Sequence, residues 1–363
     1  MAHLAADPRV ERYARLLVER CLDVQPGWQV LVRSTPLARP LVEAVQGAIA
    51  ERGAYAVVRL NWSLWPTDVV WAAEAPLDLV GELPDIDRAA CELMDARITV
   101  EAPENTRQGS DLDPERRALV RRRERAFYRR TMAMEIPWVS CQFPTQALAQ
   151  EAGLTLPELE EVLYAACLRD WDAERERLLR YLQLFDAAEE VRIVGPGTDL
   201  RLSLSGRRGE VDDGRTNLPG GEIFFAPVED SAEGTIVFGE CPAVYDGHEL
   251  RGVRLRFQAG QVVEASAATG EEALLAALER DPGARRLGEL GIGLNPGVAR
   301  PMRNVLFDEK MEGSIHLALG QSYSFLGGTN VSAIHWDLVK DLRQGGRIEL
   351  DGRVVQAEGR WLL

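Results

Sequence analysis

Cysteine, histidine and lysine are all scarce in this chain, and the cysteines bear on what can be excluded. Five cysteines occur in 363 residues: Cys21, Cys91, Cys141, Cys167 and Cys241. Their number is odd and no two stand at CxxC spacing, which argues against a disulfide framework and against a thiolate zinc site. Each reads as a small buried apolar residue. Of 42 basic residues only Lys310 and Lys340 are lysines; the bias identifies no function but sets Lys310 apart. No apolar run is long enough to cross a bilayer. Asp7, Arg9, Glu11 and Arg12 crowd the amino terminus with no apolar signal core after them. A cytoplasmic protein with no membrane partner is expected.

The net charge of -15 repels phosphate backbones, so no nucleic-acid partner is expected. One basic run holds Arg121, Arg122, Arg123, Arg125, Arg129 and Arg130. Glu124 and apolar residues interleave it, and it reads as a solvated helix face.

Helix and strand signals alternate through the first half. Helical periodicity covers 10–24, 41–49, 86–94 and 114–132; strand signals cover 28–32, 56–60, 98–101 and 138–141. This predicts an α/β domain with a mostly parallel sheet. Segments 157–168 and 171–185 read as two successive helices bridging the domains. From 191 onward short strands are separated by Gly, Pro and Asp turns, and one helix at 271–280 interrupts them. This predicts an α+β domain rich in short strands, with a boundary at 186–190, hence domains 1–187 and 188–363.

Chemistry concentrates in that second domain. Of four histidines, His3 lies in the terminus and His248 follows an Asp246-Gly247 turn. His335 and Asp337 are two apart, so a strand would place them on one face. Such a pair suits a divalent cation, although HxD also occurs by chance. His316 stands alone in the apolar run Ser314-Ile315-His316-Leu317-Ala318-Leu319, where by itself a hydrogen-bonded core histidine is a commoner reading than a ligand. Glu222 and Glu289 sit among glycines, and Glu309 follows Phe307-Asp308. A buried carboxylate needs a cation or donors, and the alternative for each is a turn facing water. Together, two imidazoles and several carboxylates suffice for two divalent cations: Zn, Co, Mn or Mg.

The order of these motifs carries a resemblance. Asn217-Leu218-Pro219-Gly220-Gly221-Glu222-Ile223-Phe224 comes first, then Leu287-Gly288-Glu289-Leu290-Gly291-Ile292-Gly293-Leu294-Asn295-Pro296. Phe307-Asp308-Glu309-Lys310, the run from Gly313 to Tyr323, Gly327-Gly328-Thr329-Asn330 and His335-Trp336-Asp337 follow. The set resembles the thermophilic aminopeptidase (M29) family. The resemblance implies a homodimeric metallo-exopeptidase with a pair of metal ions, acting on peptides with a free N-terminus. It makes Glu222, Glu289, His316, His335 and Asp337 metal ligands, with Glu289 bridging, and Tyr323 a catalytic tyrosine. Glu309 falls in a shared motif as either ligand or base. The segment between His316 and His335 is shorter than the family's, which bears on specificity. Another dinuclear metallohydrolase, a dipeptidase or amidase, is the alternative.

Overall fold

β-branched and aliphatic runs that are apolar on both faces demand cover on both sides, as parallel strands do. The structure is a computed structural model that describes residues 7–62 and 68–362, the side chain of Met132 excepted; His3 lies outside them. Within it, strands Tyr55–Leu60, Gln29–Ser34, Ala96–Glu101, Trp138–Gln142 and Asn217–Leu218 form, in that order, one parallel sheet. Helices Arg39–Glu51, Asp85–Leu93, Pro114–Met132 and Leu156–Cys167 occur between its strands in sequence. Val30, Leu31, Val32, Ile98 and Val100 are buried in it.

The arginine run differs from its expected role. Arg130 donates to the carbonyls of Cys91, Glu92 and Met94 at 2.8, 2.9 and 2.9 Å, closing the end of helix Asp85–Leu93. Arg123 pairs with Asp87 at 3.0 Å and Arg122 with Glu82 at 2.7 Å. Part of the run is therefore helix-to-helix mortar rather than a solvated face, because Arg stems lie flat while their forks reach carbonyls.

Contacts divide the chain into one unit running through Leu168 together with Gly214–Pro219, and a second of Arg169–Asp213 with Gly220–Leu363. This differs from a boundary at 187. Helix Trp171–Asp186 belongs to the second unit, since Leu178, Leu182 and Phe185 are buried in that unit's core. Strand Asn217–Leu218 pairs with Ser140 and Cys141 of the first unit.

Besides the two-stranded pair Ala243–Tyr245 and His248–Leu250, the second unit holds two larger antiparallel sheets. One has eight strands, ordered Gln261–Ser266, Val253–Gln258, Glu233–Phe238, Thr198–Ser203, Glu190–Gly195, Arg347–Leu350, Arg353–Ala357 and Arg360–Trp361. The other has five: His335–Asp341, Ser314–Gly320, Leu287–Gly293, Glu222–Phe225 and Glu210–Asp212. Leu200, Leu202, Ile236 and Leu255 of the first sheet share one buried cluster with Ile223, Leu290, Ile292, Leu317 and Leu338 of the second. The five-stranded sheet thus spends one face on the core.

Candidate metal centre

Strand parity decides what the other face carries. In Leu287–Gly293, Leu290 and Ile292 enter the core, which leaves Glu289, Gly291 and Gly293 opposite. In Ser314–Gly320, Ile315, Leu317 and Leu319 are core, leaving His316, Ala318 and Gly320. In His335–Asp341, Trp336 and Leu338 are core, leaving His335 and Asp337. The histidine within an apolar run is thus the outward member of an alternating strand.

Register then assembles the site. Glu289, Ala318 and Asp337 form one row across three strands. His316 lies opposite Gly291, Glu222 opposite Gly293, and His335 opposite Gly320. Each long ligand-type side chain therefore lies beside a residue with little or no side chain, and the floor of the site is clear. The approach is close at Gly291, where a Cβ would fall 1.8 Å from His316 Cε1. Glu222 is aimed by the turn before it. Gly221 has φ 110°, a value that favours glycine, and its carbonyl accepts from Leu294 N at 2.8 Å. Asn295 Nδ2 donates to Gly220 O at 2.8 Å.

The side chains converge. Glu289 Oε1 lies 3.4 Å from His316 Nε2 and its Oε2 lies 3.1 Å from His335 Nε2. Glu222 Oε2 is 3.7 Å from His316 Nε2, and Asp337 Oδ1 is 3.8 Å from His335 Nε2. Three overlapping triads each have ligand atoms within 4.8 Å of one another: Glu222, Glu289 and His316; Glu289, His335 and Asp337; Glu309, His316 and Asp337. All six side chains expected from the sequence as ligands are therefore brought together. His335 Nδ1 donates to Gln321 O at 2.8 Å, which leaves Nε2 free for a cation, as outer partners of metal-binding histidines do. Tyr323 OH lies 3.5 Å from His335 Nε2, and its ring packs edge-on against Phe224 at 5.5 Å. His248 stands apart, exposed at the start of the short strand His248–Leu250.

The donor set fits cations. Glu222 Oε2, Asp337 Oδ1 and His316 Nδ1 are buried with no hydrogen-bond partner among the described residues. Buried polar atoms seldom go unmatched, and oxygen with imidazole nitrogen suits Zn, Co or Mn. Burial pushes Glu222 up to about 8 against the opposing charges of Lys310 and His316. Burial also pulls upward on Glu289, but hydrogen bonds from His316 and His335 outweigh it and hold that carboxyl well below its ordinary range. Burial lowers both imidazoles, yet the carboxylates prevail: Glu222 and Glu289 raise His316 to about 10, and Glu289 and Asp337 raise His335 to about 10. Burial and the charges of Glu289 and Asp337 hold the Tyr323 phenol above its ordinary range, so it stays a donor.

A pH dependence follows. Without metal both imidazoles carry protons at neutral pH, and a cation requires them neutral. Raised pKa values mean that protons compete until pH passes about 10. Zinc affinity is expected to climb as pH rises above the ordinary histidine value of about 6.5, with proton release on binding. Calorimetry in buffers of different ionisation heat measures it; a flat affinity between about pH 6 and 9 contradicts it.

Two residues at the centre carry roles that local pattern did not expose. Lys310, buried, lies 2.6 Å from Glu222 Oε1, 2.7 Å from Glu309 Oε1 and 3.2 Å from Asp212 Oδ2. Asp212 reaches the site because it is the register partner of Glu222; nothing in Val211-Asp212-Asp213 distinguishes it from a surface turn. Lys310 had one signal, the rarity of lysine in this sequence.

Comparison with known proteins bears on the family and the fold. Aminopeptidase 2 of Geobacillus stearothermophilus is 30% identical over 353 residues, covering 87% of this chain and 84% of that protein. The solved structure of wild-type AmpT from Thermus thermophilus superposes with a TM-score of 0.84 at 24% identity, covering 98% of this chain and 99% of the other. A 2,5-dihydroxypyridine dioxygenase from Pseudomonas putida KT2440 shares the fold more loosely, with a TM-score of 0.59 at 17% identity over 98% of this chain and 96% of the other. Fold alone therefore does not choose the chemistry. The sequence model of the thermophilic metalloproteases (M29) matches residues 6–361, and the chain belongs to that family.

Proposed function

We propose that this metallo-aminopeptidase removes the N-terminal residue of peptides at two divalent cations held by Glu222, Glu289, Glu309, His316, His335 and Asp337. The observation that carries the reading is Glu289, whose two oxygens face two different histidines at 3.4 and 3.1 Å, as a carboxylate shared between two cations requires. When bound, the pair supplies a water of lowered pKa and a Lewis acid for the scissile carbonyl. The substrate's free, neutral α-amine would find a place at the same pair, which restricts cleavage to the N-terminal residue. The chain's own groups do the rest. Tyr323, protonated, donates a hydrogen bond to the oxyanion that develops at the carbonyl. Glu309, the most exposed of the carboxylates around Lys310 at 13%, shuttles a proton to the leaving amine where it does not ligate. The burial of all five cysteines supports a reducing, cytoplasmic setting, and we take the homodimer of the family as the working assembly.

The test is release of arylamine from amino-acid arylamides. Chelation should abolish it, zinc or cobalt should restore it, and N-acetylated substrates should stay intact. Turnover by metal-free protein defeats the reading. A dipeptidase would instead reject tripeptides and longer chains.

A further inference from the structure

An ammonium has three N–H donors and no acceptor. Lys310 spends its donors on three carboxylates, Asp212, Glu222 and Glu309, with its side chain 1% exposed. Its backbone is pinned as well: its N–H donates to Phe307 O at 3.0 Å and its carbonyl accepts from Asn295 N at 2.8 Å. The ammonium cannot drift, so the carboxylates it holds cannot rotate freely.

Each contact with a ligand takes one oxygen only. Lys310 holds Oε1 of Glu222 and Oε1 of Glu309. Glu222 Oε2 is left buried without a hydrogen-bond partner, 3.7 Å from His316 Nε2. We infer that Lys310 is a positioning residue that fixes Glu222 and Glu309 as one-oxygen ligands and so keeps the cations at low coordination number. The inference rests on the two-cation reading above. Low coordination with imidazole suits zinc or cobalt, whereas calcium collects six to eight oxygens and magnesium demands an octahedron.

Charge supports the same role. The site gathers five carboxylates, Asp212, Glu222, Glu289, Glu309 and Asp337, and one ammonium, which touches the first, second and fourth of them. Ionised, they leave four negative charges, which two divalent cations neutralise. Lys310 accounts for the carboxylate, Asp212, that belongs to none of the triads.

Cobalt reports the geometry directly, since four- and five-coordinate Co²⁺ absorbs strongly in the visible and six-coordinate Co²⁺ weakly. Wild type and Lys310→Met are loaded with Co²⁺, and metal content and spectrum are recorded. Wild type should hold two cobalt ions with intense bands. Lys310→Met should keep cobalt with bands weakened severalfold, because both glutamates can then offer two oxygens, and magnesium should compete better. Superimposable spectra, weak bands already in wild type, or a folded variant that holds no cobalt overturn the inference. If the variant does not fold, the wild-type spectrum alone decides. Wild type that takes up no cobalt defeats the metal-centre reading itself, whereas two cobalt ions with weak bands defeat only the role of Lys310.

Discussion

Glu289→Ala is expected to lose arylamide hydrolysis by far more than a hundred-fold and to be beyond rescue by added metal. Glu289 is 3% exposed and, like His316 and Asp337, belongs to two of the triads. Removing an outer partner of a metal ligand costs about 10- to 100-fold; removing a ligand that both cations share costs more. The variant also strips His316 and His335 of the carboxylate nearest to each. Breaking a buried ion pair costs about 3–5 kcal/mol, an upper figure here because the imidazoles can shed their protons. The parallel sheet contains no part of this site, so its helix and strand content should survive in the far-ultraviolet spectrum. The check is metal content after dialysis together with the rate. Two retained cations with a rate within about ten-fold of wild type would remove Glu289 from the bridging role.

Gly291→Ala should be nearly as damaging, although it adds a single methyl and touches no ligand atom chemically. Its φ lies outside the left-handed region, so the backbone accepts alanine, and a glycine in a strand is itself entropically costly by about 0.5–1 kcal/mol. The harm is local: the new Cβ would lie 1.8, 2.1 and 2.6 Å from His316 Cε1, Nε2 and Nδ1. The ring must leave. Overpacking of this kind costs about 1–3 kcal/mol, so the protein folds while the site loses an imidazole shared by two triads. We expect activity to fall at least about a hundred-fold. Gly47→Ala is the control. It lies within helix Arg39–Glu51 with nothing within 4 Å of its would-be Cβ, so it should stabilise by about 0.5–1 kcal/mol and leave activity alone. Equal activity in the two variants would show that His316 is not needed.

What can be read from residues alone follows from periodicity. The long helix Pro114–Met132 coincides with its charged pattern. The pairing of His335 with Asp337 needs nothing but strand parity. The glycines at 291 and 293 read as places of close approach, and the structure supplies what approaches: His316 and the Met311 carbonyl. What escapes is anything set by register between distant strands. Lys310 and Glu222 are 88 residues apart, and no local pattern reports their contact. Asp212 enters only because Glu210–Asp212 lies beside Glu222–Phe225. Helix Trp171–Asp186 has the same look whether it ends one unit or begins the next; which core receives Leu178 and Phe185 is a tertiary fact. Asn217–Leu218 escapes for the same reason, as two residues of the second half that join the first unit's sheet.

Both lysines are enclosed, each with a side chain 1% exposed, and the chain has no others. No ε-amine faces solvent. Reagents that acylate or cross-link through lysine have no side-chain foothold on the folded protein. Such labelling becomes a gauge of opening: modification at Lys310 or Lys340 would mark molecules whose interior has come apart.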